Sequence, residues 1–375
     1  MNVRARVERG VGITGGVFAV DTDTTVLNGL HRIKSKQRIL FGTPQSGSDG
    51  VSAVSGPGAE VIGSEGDRII DAVRAAKGFA ETDAFMVLCG AAGSTGSKIA
   101  SLLTQKLKER HFEKPVYNLI VLPFEDEVTT GEATFHNTAT CLKSAYAVAD
   151  AIFLIDNQKY AEKDASVKDE LAKLNASVVE LFYEMLCAGE ETRRAYIGSK
   201  LLDAGDIIQT LRGWSVIGQG KVPIPRWGLT SIGKGHFREK VGEAGRGTQV
   251  LDTAISKLSL KCNPADARRA LYLLAAPAGE MSVELMGGLG TSVKEIAPAA
   301  IIRGGDYPRG RDSLSITIVL SEFPNLPQVA QYLMKAPAVV TPEIAPSPVP
   351  MVAGPSAQPE TQHSDEQADK PEDSV

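Results

Sequence analysis

Cysteine is scarce in this chain. Four cysteines (Cys89, Cys141, Cys187, Cys262) are spread through 375 residues with no C-x-x-C pair. That spacing argues against a disulfide framework or a thiolate metal site and predicts buried free thiols in a reducing compartment. The five histidines are likewise scattered. No apolar run approaches the roughly 18 residues that a membrane helix needs, and the N-terminus has no signal-peptide core. The expectation is a cytosolic protein without a transmembrane segment. Charge of either sign is not in excess. The net −5 traces to the stretch from Pro337, with seven acids and one lysine, and the remainder holds 39 bases against 38 acids. No global field therefore favours nucleic acid or an acidic membrane. Two nucleotide motifs are missing as well. Counting from Gly90 puts Thr95 where a G-x-x-x-x-G-K-[ST] loop needs its second glycine, and the glycines of that turn do not fall at G-x-G-x-x-G spacing. No G-x-G-x-x-G follows the first expected strand either, which counts against a nicotinamide-dependent dehydrogenase.

What is present is an ordinary globular composition, 43% hydrophobic and 23% charged, at a length that suggests two domains. One stretch organises the chain. Phe85-Met86-Val87-Leu88-Cys89-Gly90 is an apolar run of strand length, followed by a small-residue turn through Ser97 and an amphipathic segment from Ile99 to Leu107. Strand, glycine loop and helix together present bare backbone N–H groups and a helix N-terminus to an anion. Ser94, Thr95 and Ser97 add hydroxyl donors. A glycine-rich turn used only for tight packing has the same appearance.

Around this stretch the pattern alternates strand and helix. Strands are expected at Val17–Val20, Ile39–Phe41, Val116–Leu122 and Ala151–Ile155, and helices at Ile69–Phe79 and Asn137–Ala149. Polar residues follow the strands: Asp21-Thr22-Asp23, Pro123-Phe124-Glu125-Asp126-Glu127 and Asp156-Asn157. This argues for a doubly wound parallel sheet with its ligand edge at the strand C-termini. Asp23 there serves either a metal or bound water, or it caps the next helix. A Gly/Ser-rich loop from Gly42 to Gly58 is too long for a plain connection. Ala165 to Ala188 reads as one long helix, a spine between two domains, in which Asn175 is a poor helix former with either a polar role or a solvent-facing position. Residues 191–336 read as a smaller α+β domain, with strands near Val216-Ile217, Leu271–Ala275, Ile301–Arg303 and Leu314–Leu320 and helices near Leu251–Leu258 and Glu280–Gly287. Residues 337–375 carry eight of the twenty prolines with polar acids and are expected to be disordered, serving as an interaction tail or a solubilising tether.

These motifs, in this order, resemble the tubulin/FtsZ superfamily and within it the archaeal CetZ proteins, over roughly Val17 to Ala336. Residues 92–98 stand at the family's G-G-G-T-G-S-G phosphate loop, with four of seven positions matching. Asp21-Thr22-Asp23 resembles the N-T-D loop near the nucleotide's metal. Gly50 to Glu60 weakly resembles the γ-phosphate loop. Glu127 stands at the ribose contact, with Glu132 a competing choice, and Asn157 and Asn175 stand where two asparagines read the guanine edge. Leu202-Asp203-Ala204-Gly205-Asp206 resembles the loop that enters the next subunit's nucleotide pocket, where Asp203 and Asp206 would orient the attacking water; otherwise they simply cap the following helix. Arg303-Gly304-Gly305-Asp306-Tyr307-Pro308 matches a CetZ motif over six residues.

The resemblance implies GTP or GDP with Mg2+, the nucleotide held by Thr22, Asp23, Gly93, Ser94, Thr95, Gly96, Ser97, Glu127, Asn157 and Asn175. No side chain would ligate the metal directly, Asp23 reaching it through water. It also implies head-to-tail protofilaments of this chain or assembly with CetZ paralogues, and a role in archaeal cell shape. Residues 1–164 would be the GTPase domain, 165–190 the central helix and 191–336 the C-terminal domain. Four departures qualify this. The family's first strand and diphosphate-gripping loop precede the point where this chain begins. Ala92, Ser94 and Lys98 replace glycines, which would cost on the order of 1 kcal/mol wherever the backbone needs a positive φ. Lys98 either pairs with phosphate or lies on the helix surface. Leu201 replaces an asparagine common in FtsZ. The alternative is a structural or regulatory paralogue, impaired in nucleotide binding, that co-assembles with a complete CetZ.

Overall fold

The computed structural model describes residues 7–12, 16–42, 59–160, 167–224, 236–310 and 313–335. The proposed γ-phosphate loop to Gly58 and the tail from Pro337 lie outside them. Strands β1 (Ala19–Asp21) and β2 (Arg38–Leu40), separated by helix α1 (Thr24–Asn28), form a small parallel sheet. Then follow α2 (Ala59–Arg74), β3 (Phe85–Gly90), α3 (Ser94–Arg110), β4 (Val116–Leu122), α4 (Glu125–Thr130), α5 (Glu132–Val148), β5 (Ala151–Asp156) and the long α6 (Val167–Leu186). The remaining chain adds α7 (Ala204–Thr210), β6 (Gly213–Pro223), α8 (His236–Ser256), β7 (Arg269–Ala276), α9 (Val283–Ile296), β8 (Ile301–Pro308), β9 (Ser313–Phe323) and α10 (Pro327–Lys335).

Seven strands form one sheet in the order β3-β4-β5-β6-β9-β7-β8. β3 to β6 are parallel, β9 is antiparallel to both β6 and β7, and β8 runs parallel to β7. The first half is thus the expected parallel α/β layer and the second a mixed α+β layer. The sheet is continuous across them through a short pairing of Ala151–Phe153 with Gly213–Ser215. The alternating strand residues feed two cores. One face buries Tyr117, Leu119, Phe153, Ile155, Leu271 and Val319 against Val178, Leu181, Phe182 and Met185 of α6. The other buries Ile120, Leu154, Val216, Leu274 and Ile318 under α5, α8, α9 and α10. Both faces being covered explains why β5, and β4 apart from the buried Asn118, read as continuous apolar runs.

Three expectations shift in detail. The helix expected at Ile69–Phe79 spans Ala59–Arg74, and the chain then continues in turns to Phe79, with Gly78 at φ +82°. β6 extends far beyond Val216-Ile217, because Gly218 and Gly220 lie under α8, where a Cβ would fall 2.3 Å from Ala254 O and 1.9 Å from Val250 O. Strand β8 likewise runs through its glycine pair to Pro308. A buried ion network closes the molecule opposite. Arg309 donates to Glu191 at 2.7 Å, and Arg9 lies 3.5 Å from Glu191 and 3.6 Å from Glu184. It joins residue 9 to the end of α6 and the end of β8.

Candidate functional site

The candidate residues fall on two opposite edges of the sheet. At the first edge β3, β4 and β5 end together, since Gly90 pairs with Val121 and Leu122 with Asp156. The glycine loop continues from β3 into α3, whose N-cap is Gly93 with no capping side chain and no acidic residue in the first turn. The first helical bond runs from Ser97 N to Gly93 O at 3.1 Å, so the N–H groups of Ser94, Thr95 and Gly96 have no acceptor within the helix. An uncapped N-terminus of a 17-residue helix, at the C-terminal edge of a parallel sheet, favours an anion.

The loop carries no backbone strain. Neither Gly90, Gly93 and Gly96 nor the substituted Ala92, Ser94 and Lys98 has a positive φ, so the side chains replacing glycine incur no left-handed cost. Gly96 has a packing reason: a Cβ there would meet Gly90 O at 3.3 Å. The tight-packing role and the open N-terminus thus coexist. Ser97 is buried, with its hydroxyl donating to Ser94 O at 3.4 Å. The loop's backbone is steadied by Asn137 of α5, whose Nδ2 donates to Ala92 O at 3.0 Å. That residue carries no motif, and only its place one turn inside α5 could have pointed to it.

Other strand ends converge here. Thr22 Oγ1 lies 3.3 Å from Thr95 Oγ1, which brings the end of β1 to the glycine loop, although β1 and β3 belong to separate sheets. Asp23 is exposed and caps α1, with Oδ1 accepting from Thr25 N at 2.6 Å. Its second oxygen is left over, so capping and a further role are compatible. After β4, Glu127 is exposed in α4 and folds back to accept from Phe124 N at 2.9 Å. Glu132 opens α5 and is exposed. After β5, Asn157 begins a short 3-10 turn, and its Oδ1 is buried without a hydrogen-bond partner among the described residues. The same turn supplies Gln158, which accepts from Glu125 N at 3.2 Å. Beside it, burial raises the Asp156 carboxyl above the usual range against the hydrogen bond from Gln158 N. α6 packs on this turn, and Asn175 is exposed on α6.

The second edge carries Asp203 and Asp206. They precede β6, whose first residue Gly213 pairs with the first residue of β5, Ala151. They therefore sit at the N-terminal edge of the parallel strands, across the sheet from the glycine loop. Both cap α7. Asp203 Oδ1 accepts from Asp206 N at 2.9 Å, and Asp206 Oδ2 makes a long 3.5 Å contact with Asp203 N. Arg303 Nε donates to Asp206 Oδ1 at 3.1 Å. Asp203 is exposed and Asp206 half-buried.

With the geometry in place, similarity to known proteins can be set beside it. The family model "Tubulin/FtsZ family, GTPase domain" matches residues 8–163, and "Tubulin-like CetZ, C-terminal domain" matches residues 164–338. Tubulin-like protein CetZ1 of Haloferax volcanii is 29% identical over 338 residues, covering 86% of this chain and 84% of the relative. The structure of CetZ1 from Haloferax volcanii as a GDP-bound monomer aligns with TM-score 0.70 at 28% identity, over 88% of this chain and 92% of that one. A GTPγS-bound protofilament of CetZ2 from the same organism shares the fold, with TM-score 0.71 at 22% identity over 89% and 92%. Two consecutive family matches that together span nearly all of the folded chain make this protein a member of the tubulin/FtsZ superfamily with a CetZ-type C-terminal domain.

Proposed function

We propose that this chain is a cytoskeletal GTPase that binds the nucleotide on the C-terminal edge of β3–β5 and hydrolyses it when the Asp203–Asp206 edge of a second copy covers it. The observation that carries this reading is the placement of the two half-sites on opposite edges of one sheet. One copy cannot bring them together, whereas head-to-tail stacking does so at every junction. Such a heterologous interface does not close and so grows filaments. The nucleotide-bound forms of the Haloferax relatives, one a monomer with GDP and one a protofilament with GTPγS, support the same reading.

On this reading the phosphates take the N–H groups of Ser94, Thr95 and Gly96, with Gly93 leaving room for their approach. Thr22, Thr95 and Ser94 add hydroxyls, and Ser97 holds the turn. Asn157 Oδ1, an acceptor without a partner among the described residues, suits the donor edge of guanine, with Asn175 of the packed helix as the second reader of that edge. Glu127 or Glu132 meets the ribose. Phosphoryl transfer needs a positioned water and compensated charge more than covalent help. The incoming Asp203 and Asp206 each keep one carboxylate oxygen outside their principal hydrogen bonds, and these accept from the attacking water. No group of three or more His, Cys, Asp or Glu residues suited to a metal occurs among the described residues. Mg2+ held by the substrate's phosphates and, through water, by one carboxylate would fit Asp23, whose second oxygen is uncommitted. Bound there, the ion would neutralise phosphate charge. A role in archaeal cell shape follows from a filament of this kind, with this chain or a CetZ paralogue as its neighbour.

The test is labelled-GTP binding together with phosphate release measured against chain concentration. The reading predicts binding and a turnover per chain that rises steeply at the onset of assembly. Binding without any such rise would remove the shared site. Absence of binding would favour the second reading, a structural or regulatory paralogue that assembles with a complete CetZ, to which the separation of β1 from the main sheet lends support.

A further inference from the structure

The six-residue match Arg303–Pro308 lies on β8, at the other end of the strand order from β3, yet its side chains are almost wholly engaged. β8 is the last strand of the seven-stranded sheet, and its outer side meets the segment that leads into α7. Asp306 N donates to Lys200 O at 3.0 Å, as a strand partner would. The Asp306 carboxylate is buried and accepts three hydrogen bonds, from Ser199 N at 2.9 Å, Ser199 Oγ at 3.1 Å and Lys200 N at 2.5 Å. A buried carboxylate is tolerated when its oxygens are saturated in this way. Tyr307, also buried, accepts from Leu202 N at 2.9 Å and donates to Leu202 O at 3.1 Å through one hydroxyl. Arg303 reaches beyond the loop to Asp206, and its Nη2 donates to Gln209 Oε1 at 2.6 Å.

The glycines have the same explanation. A Cβ on Gly305 would lie 2.9 Å from both Lys200 O and Leu202 Cγ, and one on Gly198 would lie 1.7 Å from Asp306 O. Gly304 is required on the inner side, where a Cβ would fall 2.2 Å from the Tyr272 ring. So the strand and the loop approach each other more closely than side chains at these positions permit.

We infer that Arg303–Tyr307 is a clamp that fixes the segment from Gly198 to Asp206, and that Arg303 is a positioning residue for Asp206. Asp306 and Tyr307 hold the backbone up to Leu202, the residue before the first aspartate. Arg303 then takes Asp206 Oδ1, which leaves Oδ2 with only the 3.5 Å contact to Asp203 N. The guanidinium holds Asp206 Oδ1 through Nε while its Nη2 is anchored on Gln209, two contacts that a single-point cation would not reproduce together. The consequence is a water-orienting pair set before the neighbouring copy arrives, and misplacements of about 1 Å in such groups cost on the order of a hundredfold in rate. The catalytic consequence rests on the proposed function; the clamp itself does not.

Two readouts on the full chain separate them. The first is amide hydrogen exchange of residues 198–207 in the wild type, Arg303→Gln and Asp306→Asn. The clamp predicts faster exchange in this segment in both variants, with urea stability of Arg303→Gln close to wild type. Unchanged exchange in Arg303→Gln and Asp306→Asn overturns it. The second is phosphate release per polymerised chain, with labelled-GTP binding as control. Arg303→Gln should lose about tenfold or more in turnover with binding retained, and Arg303→Lys should recover only part. If turnover is unchanged while exchange rises, the positioning role for Asp206 fails and the clamp is only structural. If the wild type itself releases no phosphate, the proposed function fails, and hydrogen exchange still decides the clamp.

Discussion

The two edges of the sheet are finished in opposite ways. At the C-terminal edge, groups are left open: α3 starts without a capping side chain, and Asn157 Oδ1 has no partner among the described residues. Around the second site, Asp306, Tyr307, Asp203 and Asp206 are joined to the backbone or to Arg303, and Arg303 Nη1 is the exception, buried and without a partner among the described residues. Unsatisfied polar groups cost stability unless a ligand completes them, whereas a satisfied network fixes geometry. An edge that receives a ligand and an edge that presents a rigid pair to a neighbour would differ in this way.

The sharpest way to break the contrast is Asp206→Asn. It removes charge from the presenting edge and leaves the receiving edge intact, so polymer-dependent phosphate release should fall by about two orders of magnitude while labelled GTP still binds. Gly198→Ala attacks the same edge through packing. Its Cβ would fall 1.7 Å from Asp306 O, and a loss of roughly 1–3 kcal/mol in urea unfolding is expected. At the receiving edge the opposite substitution is informative. Gly93 has open space around it and an ordinary φ of −73°, so Gly93→Asp should supply the missing cap and add on the order of a few tenths of a kcal/mol of stability. The same carboxylate would occupy the phosphate position, so GTP binding should be lost as thermal stability rises. A glycine needed only for packing would not show that trade.

The smallest effect is in pH dependence. Burial raises Asp156, at the receiving edge, and Glu191, in the ion network, although Arg309 and Arg9 oppose the latter shift. Each binds its proton more tightly folded than unfolded. Its stabilising contribution is therefore complete below the ordinary carboxylate pKa and is lost as pH rises through the raised folded value. Glu65 behaves in the other direction, because the Arg68 hydrogen bond lowers it, and its contribution is lost as pH falls through that lowered pKa. Thermal melts on mild acidification should show the Asp156 and Glu191 gain, and Asp156→Asn should reduce that slope.

The parallel half was largely legible because strands buried on both faces cannot hide. Val116–Leu122 was bounded correctly by its apolar run alone, and the glycine loop announced itself by composition. The second half was harder for a definite reason. Gly218, Gly220, Gly304 and Gly305 read as breaks, yet each lies inside a strand where another chain segment approaches too closely for a Cβ. Position relative to a neighbour, not local propensity, put them there. α10 at Pro327–Lys335 carried an amphipathic pattern that was passed over next to the proline-rich tail. At the site, carboxylates past strand ends were predictable. Asn137 and Gln158, which steady the loops, and the reach of Arg303 to Asp206 depend on contacts between distant segments.

The central claim is that one copy holds the nucleotide and the next supplies Asp203 and Asp206. Wild-type chains preloaded with γ-labelled GTP, mixed with an excess of Asp206→Asn chains carrying unlabelled GTP, test it in a single turnover. A shared site predicts that release of the label falls toward zero as the variant comes into excess, because each labelled nucleotide then faces a crippled edge. Release of the label at the undiluted rate would place hydrolysis within one chain and contradict the account.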